Sequence, residues 1–456
     1  MLTWAVTLFV ARLLAPEDYG IVGMATVYFG LVNLLNEFGL GSSVVIVRDL
    51  DRNQIAQLFG LAMIIGVLSC AVSLALAQPI ALFFDAPELS KVIIVLSFSF
   101  IASAAGTIPF GLLERDLEFK RVALINGVRT IAAAVCTLVL AALGYGYWAL
   151  VANYMIQPIA GFVLAFAAHP HPMALPRRGS INQATRIGFD IIGGRVGWYF
   201  YSNADYLVAG KLLGKEALGL YTFAYMLASI PVDKITAMVT KVLTSYYSSI
   251  QDDTAALRRM VLGLTEGLAL VTFPLTCGLA MVAPDLIPVL LGEKWMGIVL
   301  PLQVLAFYAS IRGVTPVLDP VLSVTGHTRY GLWLTLLFAL VLPIAFVIGA
   351  RFEALGIAVA WVIVHPFMVC AMFAKVSTTI DLTVGAYLSA LWPSLSSTLL
   401  MIGAVALVQW GLADASLGVR LGLEIAAGAI VYVGAQFTLH RARVMRALRT
   451  LKSLKG

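Results

Sequence analysis

Four cations in this chain stand where cations are costly. Arg129, Arg195, Lys234 and Arg312 fall inside long apolar stretches, Arg195 and Arg312 near their middles, while the other Lys and Arg lie at stretch ends. A cation at the bilayer centre costs about 2.5–3.5 kcal/mol on insertion scales, so it faces a cavity or a counter-ion. A guanidinium fork matches two oxygens of a phosphate, which makes a site for a doubly ionised diphosphate one reading of these four residues. Internal pairing is the other, with Asp190, Asp205, Asp233, Glu266 or Asp319 as counter-ions. Lys234 can also extend its ammonium to the membrane surface.

Two polar pairs suit a different ligand chemistry. Asn33 and Glu37 are four residues apart, hence on one face of a helix. The stretch "YFYSNADYLVAG" places Asn203 and Asp205 within another apolar run. Such groups match sugar hydroxyls, and Glu37 or Asp205 can hold a coupling H+ or Na+; hydrogen bonding between helices is the alternative. Signals for enzymatic chemistry are weak. "RDLDRN" holds Asp49 and Asp51, but Arg48 and Arg52 bracket them, which speaks against a metal site. "HPHP" from His169 is a proline-broken loop, and His365 before Pro366 reads as an interior hydrogen-bonder. No P-loop, GxSxG or HExxH occurs, so neither an enzyme nor a resident cofactor or metal is expected.

The elements that carry these residues follow from composition. The chain is 61% hydrophobic and 12% charged, against roughly 25% charged in a soluble domain. Apolar runs recur near the ~20 residues needed to cross a bilayer core, and none alternates with the period of a β-barrel strand. The expectation is an all-α polytopic membrane protein with about fourteen transmembrane helices arranged 6+6+2, its two parallel-repeat lobes flanking a central cavity. Residues 1–168 form one six-helix lobe, 169–184 a cytoplasmic inter-lobe loop, 185–376 the second lobe, 377–440 two further helices, and 441–456 a basic tail. Lys and Arg divide nineteen to seven between alternating helix ends, which puts both termini in the cytoplasm. The first span, 1–15, looks clipped at its cytoplasmic end. The tail "LHRARVMRALRTLKSLKG" spaces Val444, Leu448 and Leu451 helically among cations, as an amphipathic helix on an anionic inner leaflet would. Cys70, Cys136, Cys277 and Cys370 all lie in apolar spans and read as small hydrophobes.

The chain also repeats itself. "VARLLAPEDYGIV" (10–22) and "AGKLLGKEALGLY" (209–221) align at an offset of 199 through Arg12/Lys211, the Leu-Leu pairs, Glu17/Glu216 and Gly20/Gly219. Six expected spans separate the copies, so both face the same way, as in parallel repeats. Taken alone, the stretch is structural punctuation at helix ends.

With its 6+6+2 spans, paired "ARLLAPEDYG" and "NADYLVAGKLLGKEALGLY", and the loop "LLERDLEFKRVA" (112–123), the chain resembles the polysaccharide flippases of the MOP exporter superfamily. The likeness is greatest to their Wzx-type lipopolysaccharide and colanic-acid exporter branch. The resemblance implies alternating-access transfer of an undecaprenyl-diphosphate-linked oligosaccharide across the bacterial inner membrane. It also implies a cationic central cavity, which Arg195 and Arg312 would match, and a polysaccharide polymerase and export machinery as partners; no nucleic acid is involved. A multidrug/cation antiporter of the same superfamily is the main alternative, and would have a cavity of acids and aromatics. A membrane glycosyltransferase or polymerase is a lesser one, since it needs an outer loop longer than any here.

Overall fold

In the computed structural model of the chain, residues 2–37, 40–47, 49–177, 182–441 and 443 are described, and every regular element among them is helical. The elements are α1 (Leu2–Leu13), α2 (Pro16–Glu37), α3 (Leu40–Ile46), α4 (Arg52–Phe83), α5 (Pro87–Arg115), α6 (Phe119–Ala142) and α7 (Tyr147–Ala168). Then follow α8 (Asn182–Ser249), α9 (Thr254–Leu290), α10 (Val299–Val314), α11 (Asp319–Val324), α12 (Thr328–Gly349), α13 (Glu353–Thr379), α14 (Val384–Gly411) and α15 (Leu417–Leu439). Nine helical stretches among the described residues are long and apolar enough to cross a bilayer, one of them comprising α12 and α13 together. Large apolar side chains face outward on these helices, such as Trp333, Leu340 and Ile344 on α12 and Trp410 on α14. That arrangement suits hydrocarbon as solvent and not water.

Short polar residues open several helices. Asp51 caps α4: its side chain accepts from the Gln54 backbone N–H at 2.6 Å, and the Gln54 side chain accepts from the Asp51 N–H at 2.9 Å. The Asp-x-Asp of the α3–α4 loop thus serves a capping box. Asp253 and Thr383 cap α9 and α14 more simply, each side chain accepting from a backbone N–H three residues on. Prolines divide residues 298–324 into α10, a 3-10 turn and α11 within one stretch long and apolar enough to cross a bilayer. Pro316 sits in a 3-10 turn between α10 and α11, and Pro320 opens α11, because proline removes a helical donor and clashes with the preceding turn.

The described chain divides into two units, residues 1–222 and 223–456. The division falls within α8, downstream of the loop at 169–184. In the first unit α5 is the central helix, burying Leu89, Ile93, Leu96, Phe100, Ala104 and Ile108 at three- and four-residue spacing. Phe29 of α2 stacks on Phe100 with centroids 4.2 Å apart. In the second, α9, α10 and α13 enclose Trp295 and Trp361, and α14 and α15 pack on α9.

The sequence repeat is a physical pairing inside the first unit. A methyl group on Gly20 would overlap the Lys215 carbonyl, and one on Gly219 would overlap the Pro16 carbonyl. The offset of 199 carries Gly20 onto Gly219 and Pro16 onto Lys215, so each contact is the other's counterpart and the two half-starts cross reciprocally, backbone on backbone, where only glycine fits. Gly214 breaks α8 just before this crossing, with φ of 81°. Charges surround it: Lys211 meets Asp85 at 2.8 Å, and Lys215 meets Glu17 and Glu88 at 3.2 Å each. The hydrogen bond to Glu17, reinforced by Glu88, holds the Lys215 ammonium above the usual lysine range.

Candidate functional site

The first unit holds a polar cavity of about 350 Å³ walled by α3, α5, α6 and α7. Arg129 and Asn126 reach it from α6, three residues apart and so on one helix face. Ser103, Thr107, Phe110 and Glu114 line it from α5, Ser42 from α3, and Pro158 and Phe162 from α7. Arg129 lies about 15 Å along α6 from Phe119, well within the apolar part of the helix. Its guanidinium carbon sits 5.3 Å from the centroid of the Phe110 ring, a cation–π contact that fixes the side chain without neutralising it. Gly161 of α7 leaves room for Nη1.

Among the described residues Arg129 forms no ion pair, and its buried Nε has no hydrogen-bond partner. The buried Oδ1 of Asn126 is also unpartnered. A desolvated guanidinium and amide left open on one cavity wall are complementary to an anion with neighbouring hydroxyls. At this volume the cavity takes a head-group fragment and not a whole oligosaccharide.

The second unit treats its arginine differently. Arg312, on α10, donates to Oδ1 of Asp233 on α8 at 2.7 Å and to the Tyr225 hydroxyl at 3.4 Å. The guanidinium also lies over the Tyr225 ring, 5.7 Å from its centroid. Tyr308, Trp361 and His365 stack behind it, with Tyr308 and Trp361 centroids 5.0 Å apart and His365 edge-on to Tyr308 at 5.1 Å. This is the internal-pairing alternative, with Asp233 as the counter-ion.

The remaining expected site residues fall in varied places. Lys234 is exposed on α8 beside Asp233. Asp205 is fully buried and accepts from the Tyr221 hydroxyl at 2.6 Å and from the Tyr206 N–H at 2.9 Å. Asn203 donates to the Tyr199 carbonyl of its own helix at 2.9 Å. All three bonds lie within α8. Asn33 is half-buried on α2. The side chains of Arg195 and Glu37 and the tail 444–456 lie outside the described residues. Sequence reasoning missed Asn126, although an amide three residues before a buried arginine on an apolar helix was a usable signal.

Residues 9–300 match the family described as "Polysaccharide biosynthesis protein". The chain belongs to this family. Among proteins similar to it, the lipopolysaccharide biosynthesis protein WzxC of Escherichia coli K12 is 25% identical over 395 residues, covering 84% of this chain and 79% of WzxC. The teichuronic acid biosynthesis protein TuaB of Bacillus subtilis 168 is 25% identical over 427 residues, covering 87% and 83%. In fold, this family member is similar to the lipid II flippase MurJ in its inward closed conformation. The TM-score is 0.79 at 15% identity, covering 97% of this chain and 98% of the other. The all-α membrane architecture expected of the polysaccharide biosynthesis chain is thus that of a solved flippase.

Proposed function

We propose that the chain is a flippase, not an enzyme. It carries an undecaprenyl-diphosphate-linked oligosaccharide from the inner to the outer leaflet of the bacterial inner membrane, both termini lying in the cytoplasm. The observation that carries this reading is the uncompensated Arg129 guanidinium on a membrane-embedded polar cavity, in a member of a polysaccharide biosynthesis family. The guanidinium engages a phosphate oxygen of the head group, and Asn126, Ser103 and Thr107 are within the same cavity for the first sugar hydroxyls. Phe110 keeps the arginine directed into the cavity while leaving its charge available. The lipid tail stays in hydrocarbon, since every buried CH₂ is worth about 0.8 kcal/mol. Alternating access between the two lobes completes the transfer, and a polymerase and export machinery receive the product. The basic tail holds the cytoplasmic end against anionic lipid.

Reconstitution of the full chain with a fluorescent diphosphate-linked oligosaccharide lipid tests this. Wild type moves the probe between leaflets and Arg129→Ala does not, while both variants insert equally. Equal movement by Arg129→Ala, or equally fast movement of a phosphate-free glycolipid, sinks the assignment.

A further inference from the structure

The last two helices build a charge cluster that the proposed transport site does not use. Arg420, one turn into α15, directs Nε and Nη2 as a fork onto both oxygens of Asp285 on α9. A second carboxyl, Glu424, stands one turn deeper on α15 and is 0% exposed, with Asp285 at 2%. Arg420 Nε is 3.8 Å from Glu424 Oε1, beyond hydrogen-bonding reach, and among the described residues neither carboxyl oxygen of Glu424 has a geometric hydrogen-bond partner. From the third packed helix, α14, Gln409 faces this carboxyl, but its amide donates to the Met281 carbonyl at 2.8 Å.

The charge count decides what Glu424 must be. With both carboxyls ionised, two negative charges and one positive charge would occupy an apolar three-helix contact, and among the described residues the surplus charge would face only the Gln409 amide, already donating to Met281, and a guanidinium held by Asp285. An uncompensated buried charge of this kind is strongly unfavourable, and the group neutralises instead. Asp285 holds both arms of the guanidinium, so the proton belongs on Glu424. Protonated, Glu424 gains a donor, and the Asp285 carboxylate facing it is an acceptor. Arg420 connects the cluster to water: it is 21% exposed and donates to the Ala413 carbonyl in the α14–α15 turn at 3.3 Å.

We propose that Glu424 is a proton-binding site, occupied at neutral pH and exchanging with water on the side of the α14–α15 turn. A proton from hydronium adds to the Glu424 carboxylate and water is released. On the return step the carboxylate competes with Asp285 for the Arg420 fork, which loosens the α9–α15 contact. The site is a property of the second unit alone; use of its proton to drive transport rests on the flippase reading.

Infrared difference spectroscopy of the full chain in nanodiscs, recorded across pH, reads the carboxyl directly. Wild type shows a protonated-carboxyl band at pH 7 that is lost on alkalinisation, and Glu424→Gln lacks it. Asp285→Asn gives the sharper result. It keeps Glu424 but frees Arg420 to pair with it, so the band is lost at pH 7. A band at pH 7 that is unchanged in Glu424→Gln, or equally strong in Asp285→Asn and wild type, overturns the proposal. Failure of the glycolipid assay would leave this band untouched, so the two ideas fail separately.

Discussion

Arg129 and Arg312 are the same side chain in two settings, and the difference lies in what the protein has already placed beside each. Arg312 has Asp233 at 2.7 Å and a tyrosine hydroxyl and ring. Among the described residues Arg129 forms no ion pair and has the Phe110 ring beside it, on a cavity that Glu114 also lines. A membrane arginine with an internal counter-ion braces helices. One without it keeps its electrostatic need open, and an external anion can meet that need.

The largest effect expected from this contrast is on ligand binding. Arg129→Ala should weaken binding of a diphosphate-linked lipid by about 1.5–3 kcal/mol, roughly ten- to hundredfold, with Arg312→Ala several times milder. Arg129→Lys should recover only part of the loss, because an ammonium keeps the charge but not the fork. Titration of the lipid against the purified variants checks this, and equal losses for the two alanine variants would erase the distinction.

Next in size is Asp233→Asn, which makes Arg312 resemble Arg129. It should lower stability by about 1–3 kcal/mol, less than the 3–5 kcal/mol of a fully buried pair, because the Asp233 side chain is 60% exposed. A thermal melt in detergent measures the loss, which added pyrophosphate should partly restore. Smaller again, Asn126→Ala should cost about 0.5–1.5 kcal/mol of lipid affinity with no change in melting, since it removes one neutral hydrogen bond from the cavity.

The smallest effect concerns a cation that is paired but wet. Lys215→Met should cost at most about 1 kcal/mol, as exposed ion pairs do, even though Lys215 meets two carboxylates. Since folding raises its affinity for a proton, its contribution is present below the ordinary lysine value near 10.4 and fades as pH climbs beyond it. Melts between pH 8 and about 11 should therefore converge for the two proteins. Divergence with rising pH would reverse the sign.

Much of the fold was legible in the residues. The paired glycines of the 199-residue repeat are a local signal, and local signals survive in a one-dimensional string. The candidate site was legible only as a set of costly cations. Its nearest neighbours, Phe110 and Asn126, sit in different helices, and nothing in the string marks the space between them.

By itself the sequence determined that this is an all-helical membrane protein whose halves begin alike, because solvent choice and helical period depend on composition and spacing alone. Tertiary structure decided which charges are satisfied. Arg312 and Asp233 are 79 residues apart, and Arg420 and Asp285 are 135. Pairing depends on distance through space and on exclusion of water, and neither exists until the helices pack. That is why two arginines written inside apolar stretches end in different settings, Arg312 beside Asp233 and Arg129 on a cavity wall.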